Sequence, residues 1–296
     1  MTLPTFLGIG APRAGTTWLN TLLASHPDVY TPTLRDEINF FDKYYEWGLD
    51  WYQDLFPLSD QAGSYRAIGE VTPRYLECDE CPKRIFETLP ESKLIVLLRH
   101  PIDRAYSQYG LFVQRRNYRG SFEDFIADYP RSLERGRYSR YLKRYLGYYD
   151  RSKILALIFE ETVSDVHSAK KTLAEFLEID VDRFPTRAGK RKVNPSSIPK
   201  FQLLSGLVAM TGRQFRRWHL EPIVDFVMRT SILKLITKGK PLPPLDQALK
   251  SKLSQSYRRE FEELESCMQI DLSAWRLPKD PQSRPARQTA VGVRAS

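Results

Sequence analysis

The sequence predicts an α/β fold: a central parallel β-sheet flanked by helices, with an added helical segment in the C-terminal third. Three observations carry the prediction. Short apolar runs recur at residues 6–9, 67–71, 93–98 and 154–159. Stretches of helical period separate them, the pattern of parallel strands joined by right-handed crossovers. The run 93–98 is apolar nearly throughout and has β-branched members, as a strand buried on both faces requires.

Size and charge set the frame. The 296 residues suffice for one generous α/β domain, placed at 1–275, with 200–245 as a helical insert or acceptor-side cap. Residues 276–296 read as a disordered basic tail, where Arg276, Lys279, Arg284, Arg287 and Arg294 face one acid, Asp280. The net charge of +9 favours anionic partners. It does not point to nucleic acid, because the basic residues are dispersed and no nucleic-acid module is visible. No stretch approaches the roughly 20 apolar residues that span a bilayer. No basic region followed by an apolar run opens the chain, so a cytoplasmic location is expected and a Golgi-type membrane enzyme is not. Cys78, Cys81 and Cys267 are too few for a disulfide framework, and Cys78 and Cys81 are expected as free thiols at a helix start. A metal site would need further ligands near this C-x-x-C, so none is expected.

Residues 6–9 form the first strand. A loop bounded by Gly10 and Gly15 follows, then a helix from Thr16 to Ala24 with Leu19, Leu22 and Leu23 on one face. Strand, Gly-bounded loop and helix N-terminus together make an anion site. The spacing compares with G-x-x-x-x-G-K-[ST], with Thr17 in the last place and Thr16 in place of the lysine. That lysine normally reaches the β- and γ-phosphates. Its absence, with Arg13 inside the loop, points to an anion smaller than a triphosphate.

His26-Pro27 ends the helix, and 29–30 resumes an extended path. Charges then run directly into Phe40-Phe41. A carboxylate at the edge of an apolar pocket has a raised pKa and can act as a general base, which makes Glu37 a candidate. Aromatics crowd 44–65, either as packing over the sheet edge or as a wall of an acceptor cleft. The second strand ends at Pro73, and a short helix is expected at 82–89. Strand 93–98 delivers Arg99 to its carboxyl end, where open α/β sheets bind ligands. Pro101 breaks the strand and Asp103 is expected to cap the next helix. Arg99 and Ser107 can then present a guanidinium and a hydroxyl to one anion. Helices are expected at 105–114, 122–127 and 139–149, with Arg137-Tyr138 as a nucleotide or acceptor contact. A strand at 154–159 and an amphipathic helix at 162–177 follow. Residues 188–196 form a basic, turn-rich loop, 201–238 is helical in period, 241–244 is a hinge-like break, and 249–267 is a charged helix.

The loop Arg13-Ala14-Gly15-Thr16-Thr17-Trp18 resembles the 5′-phosphosulfate loop of sulfotransferases that use 3′-phosphoadenosine 5′-phosphosulfate (PAPS). Arg99-His100-Pro101-Ile102-Asp103-Arg104-Ala105-Tyr106-Ser107 is similar to that family's 3′-phosphate motif. Glu37 with Phe40-Phe41 resembles its Glu-x-x-Phe-Phe, and Gly69-Glu70-Val71-Thr72-Pro73-Arg74-Tyr75 its Gly-Glu-x-[ST]-Pro-x-Tyr. The resemblance covers most of 5–200 and loosely 249–275. It implies a fold similar to P-loop proteins, and transfer of a sulfuryl group from PAPS to a hydroxyl or amine, of a carbohydrate among other acceptors. The product would be adenosine 3′,5′-bisphosphate (PAP). It implies cofactor contacts from Arg13, Ala14, Gly15, Thr16, Thr17, Trp18, Arg99 and Ser107, and from Arg191 and Lys192 of the basic loop. Glu37 and Arg13 would be catalytic, Glu37 as base, with Glu70 as a second candidate base or acceptor contact. No metal is required, since the loop cations neutralise charge. The chain departs from the pattern at Asp36, where the family often has lysine, and at Val71, where some glycan sulfotransferases have a catalytic lysine. Either that lysine is dispensable or Arg74 contributes the charge. The rival readings are a P-loop small-molecule kinase and a nucleotide-binding protein without turnover.

Overall fold

The computed structural model describes residues 2–32, 37–189, 197–198 and 240–276. A five-stranded sheet in the order β2-β3-β1-β4-β5 forms its centre, from β1 (Phe6–Gly10), β2 (Val29–Tyr30), β3 (Ala67–Val71), β4 (Lys93–Leu98) and β5 (Ile154–Ile158). Every neighbouring pair is parallel. From β1 the chain passes through α1 (Thr16–Ala24) to β2 and β3 on one side, then returns to place β4 on the other. The crevice beyond the carboxyl ends of β1 and β4 is therefore the topological switch point, where such sheets take ligands.

The sheet is packed on both faces, and alternate strand residues divide between them. Phe6, Val71, Ile95 and Leu97 meet Trp18, Leu19, Leu22 and Leu23 of α1, together with Leu173 of α10 (Val166–Leu177). Leu7, Ile9, Leu94, Val96 and Leu98 face a larger core with Phe40, Phe41, Tyr52, Tyr75 and Tyr145. Each such buried side chain contributes roughly 1.5–3 kcal/mol of transfer free energy. Part of the 44–65 segment packs over the sheet as one of its two readings expects. Tyr52 and Phe56 are buried core, reached through a π-helical turn (Phe40–Tyr44), α2 (Gly48–Gln53) and α3 (Ser59–Ala62). Tyr44, Trp47 and Trp51 cluster at its edge, with Trp51 packed over Phe40 and Trp47 53% exposed.

Several local expectations need correction. Cys78 and Cys81 are joined by a disulfide that closes the turn into α4 (Cys81–Thr88). Their spacing at a helix start brings the Cα atoms to 5.4 Å, within bridging range. Helix α5 (Pro101–Arg116) begins at Pro101, and its cap is His100, whose Nδ1 accepts from the Ile102 N–H. Proline is favoured at this first helical position, where its missing N–H costs nothing. Asp103 instead pairs with Lys250 at 2.6 Å. The helix expected at 162–177 is two, α9 (Phe159–Ser164) and α10, because Asp165 caps the second by accepting from Ser168 N–H. Helices α6 (Phe122–Asp128), α7 (Arg131–Glu134) and α8 (Tyr138–Leu146) lie between α5 and β5.

The charged helix at 249–267 is likewise two, α11 (Gln247–Gln255) and α12 (Arg258–Met268), before α13 (Ser273–Arg276). Lys240–Pro241 pairs antiparallel with Ser197–Ile198, so the expected break at 241–244 begins as a short strand. The helical expectation for 201–238 and the tail beyond Arg276 lie outside the described residues. Among the described residues, no helix is long and apolar enough to cross a membrane.

Candidate active site

The loop after β1 is shaped by two residues in the left-handed region. Arg13 has φ 70° and Gly15 has φ 97°. A Cβ on Gly15 would meet the Phe159 ring at 2.4 Å, so only glycine fits the start of α1. Positive φ at a non-glycine residue is costly and persists only where the surroundings enforce it. Here it aims the Arg13 side chain across the crevice to α5. Its Nη2 donates to the Ser107 Oγ at 3.0 Å and to the Ser107 carbonyl at 3.2 Å. Arg99, at the end of β4, donates from Nη1 to the Arg13 carbonyl at 3.3 Å and lies over the Phe159 ring. Adjacent parallel strands thus bring Arg13, Arg99 and Ser107 to one place from 94 positions apart in sequence.

The electrostatics of this cluster call for an anion. Burial, then the charges of Arg99, Arg115 and Arg104, hold the Arg13 guanidinium down to about 10. The Nε atoms of Arg13 and Arg99 are buried without a hydrogen-bond partner among the described residues. Orphaned donors of this kind are rare in folded proteins and mark a place for an acceptor. Guanidinium forks match planar or tetrahedral oxyanions.

Other expected residues are placed differently. Ala14 is buried in the loop, Thr16 is buried at the first position of α1, and Thr17 is exposed on α1. Trp18 lies in the smaller core, and its indole N–H donates to the Gly189 carbonyl at 2.8 Å. It therefore ties α1 to the start of the 188–196 loop. Arg191, Lys192, Arg35 and Asp36 lie outside the described residues. Tyr138 is not a ligand contact: it is fully buried, and its hydroxyl donates to the Arg99 carbonyl at 2.8 Å. Arg137 pairs with Glu134.

Glu37 is exposed, one residue before the buried Ile38. Glu70 is only 2% exposed, and both carboxylate oxygens are occupied. It is therefore neither an acceptor contact nor a base. Burial pushes its carboxyl up to about 7. Hydrogen bonds from Thr72, Tyr75 and Tyr52 pull the other way, and the Asp42 charge adds to the rise. Val71 faces the smaller core, with its methyls close over Gly8. Arg74 is exposed and donates from Nε to Asp42 Oδ2 at 3.0 Å. That pairing, on the π-helical turn just after Glu37, is the role found for the Arg74 charge. Sequence reasoning named Thr72 and Tyr75 only as motif positions and missed that their hydroxyls serve Glu70; the Ser/Thr and Tyr places of that motif were the signal.

The sequence pattern of the Sulfotransferase domain family matches residues 4–196, more than half of the chain. Over 263 residues the chain is 30% identical to heparan sulfate glucosamine 3-O-sulfotransferase 6 of Homo sapiens, covering 86% of this chain and 69% of that protein. Over 112 residues it is 38% identical to the membrane-associated sulfotransferase kil1 of Dictyostelium discoideum, covering 38% of this chain and 24% of that protein. The chain also spans less than a third of the length of other curated relatives it matches. The crystal structure of a sulfotransferase from Alicyclobacillus acidocaldarius superposes with a TM-score of 0.66 at 22% identity. That superposition covers 94% of this chain and 100% of the other, and shows a shared fold. The family match extends over both the loop of Arg13 and the strand end of Arg99, and the chain belongs to the sulfotransferase domain family.

Proposed function

We propose that this protein transfers the sulfuryl group of PAPS in line to a hydroxyl or amine of a carbohydrate acceptor, with Glu37 as general base. The observation that carries the reading is the convergence of Arg13, Arg99 and Ser107 around buried, unpartnered guanidinium nitrogens. Arg13 and the N–H groups of Gly15, Thr16 and Thr17 hold the 5′-phosphosulfate. As the S–O bond to the nucleotide breaks, negative charge grows on the bridging oxygen, and the Arg13 guanidinium neutralises it. Arg99 and Ser107 anchor the 3′-phosphate and so fix the sulfuryl group for in-line attack. Arg191 and Lys192 add charge at the same phosphate. Glu37 takes the acceptor proton. The names of the relatives, which act on heparan sulfate, support a carbohydrate acceptor.

The test is release of PAP from PAPS, with heparosan, de-N-acetylated heparosan or water as acceptor. Glu37→Gln is expected to lose turnover while keeping PAP affinity. Full turnover in that variant would remove Glu37 from the mechanism. The cytoplasmic location is carried as a proposal too. Recovery of the protein in the cytosolic fraction of its cells would support it, and recovery from a secretory compartment would count against it.

A further inference from the structure

A hydroxyl has one proton to give and lone pairs to receive. Around Glu70 that rule fixes the direction of every bond. The Thr72 hydroxyl gives its proton to Glu70 Oε2 at 2.6 Å. Its oxygen then accepts from the backbone N–H groups of Ile38 and Asn39, each at 3.2 Å. The Tyr75 hydroxyl gives its proton to Glu70 Oε1 at 2.7 Å and accepts from the Phe40 N–H at 2.9 Å. The Tyr52 hydroxyl donates to the same Oε1 at 3.2 Å, while its ring stacks on Phe40 with centroids 4.3 Å apart. So the N–H groups of Ile38, Asn39 and Phe40, consecutive in sequence, all rest on hydroxyls whose protons end on one carboxylate.

These N–H groups need that support. They open the π-helical turn, and Asn39 has φ 57°, so no helical carbonyl precedes them. Glu70 in turn is fixed to the sheet. It lies opposite Leu7 in the β1–β3 register, and β1 runs directly into the loop of Arg13. The segment after Glu37 is thereby referenced to the same strand that positions the anion loop.

We propose that Glu70 is a positioning residue for sulfuryl transfer, acting through the Thr72 and Tyr75 hydroxyls on the backbone that carries Glu37. The proposal rests on the reading of Glu37 as the base. Glu70 does not touch the acceptor. It sets where the Glu37 segment stands relative to Arg13. An amide cannot replace it, because its NH₂ would face a hydroxyl that needs an acceptor.

The test uses the full chain and PAP release from PAPS, with de-N-acetylated heparosan and with water as acceptor. PAP affinity and thermal midpoint are measured alongside. Thr72→Val and Glu70→Gln are each expected to lower kcat by about 30- to 100-fold, since small misplacements cost on that order. PAP affinity should stay within about twofold, and Thr72→Ser, which keeps the hydroxyl, should recover kcat to within about threefold. In a Glu37→Gln background, Thr72→Val should cost less than about twofold more, because coupled residues are not additive.

The proposal is overturned if Thr72→Val retains kcat while Glu37→Gln does not. It also falls if kcat and PAP affinity drop together, or if the Thr72→Val and Glu37→Gln losses multiply. Full turnover in Glu37→Gln would instead sink the base assignment, and this proposal with it. Should Glu70→Gln fail to fold, Thr72→Val against Thr72→Ser decides alone.

Discussion

The two sides of the crevice are built on opposite principles. At the ends of β1 and β4, Arg13 and Arg99 form a cluster of cations beside Ser107 whose donors outnumber the acceptors around them. Beside the Glu37 segment, the buried Glu70 carboxyl is saturated by the hydroxyls of Tyr52, Thr72 and Tyr75. The first has donors left over for an anion. The second is satisfied and holds a segment still. A buried polar group left unpaired suggests binding, whereas one fully paired suggests position.

The contrast can be broken most forcefully at Arg13. Arg13→Ala should lower kcat/KM for PAPS by about 10²–10³-fold, on the scale of a lost oxyanion donor. It should weaken PAP binding as well, in contrast with the Glu70 and Thr72 variants. Arg13→Lys should recover part of the loss, since charge returns without the fork. Steady-state kinetics and calorimetry on the same preparations check both.

Next in size is the effect of pH on stability. The folded-state Glu70 carboxyl is raised to about 7 from 4.5. A raised pKa means that ionising the group costs more in the folded protein than in the unfolded one. Its contribution is therefore fully favourable below about 4.5, declines as pH rises, and is lost above about 7. The span is on the order of 3 kcal/mol. Denaturant midpoints of wild type against Glu70→Gln, measured across that window, should differ in slope. Parallel curves would show that Glu70 does not titrate there.

A smaller loss is expected for Gly15→Ala. It places a methyl against Phe159 at a left-handed position and should cost about 1–3 kcal/mol in thermal stability. PAP affinity should fall too, because the loop must shift. Smallest is Ser107→Ala, which removes one acceptor from Arg13 and should weaken PAP by about 1 kcal/mol. An unchanged affinity would remove Ser107 from the phosphate site.

The difference between the two sides also explains what was legible in the sequence. The Arg13 loop and the Arg99–Ser107 stretch are local motifs attached to strand ends, and parallel order alone brings them together. Four of the five strands follow from short apolar runs, and only the two-residue β2 does not. Glu70 was legible as a residue but not as a role. Its neighbours Tyr52, Thr72 and Tyr75 come from separate elements, and burial decides whether a carboxylate is a base or an anchor. Helix breaks at Asp165 and around Ser256 were hidden because apolar period continues across them. The cap at His100 escaped because Asp103 has the stronger capping propensity, yet Lys250 engages it from a distant helix. The Cys78–Cys81 bridge depends on a turn geometry that spacing only permits.

The central claim is that the cation cluster takes an adenosine bisphosphate rather than a triphosphate. The most direct measurement is calorimetric titration of the protein with PAP and, separately, with ATP–Mg, repeated on Arg99→Ala. PAP is expected to bind in preference to ATP–Mg, and Arg99→Ala to abolish PAP binding. Preference for ATP–Mg, or PAP binding untouched by Arg99→Ala, would contradict it.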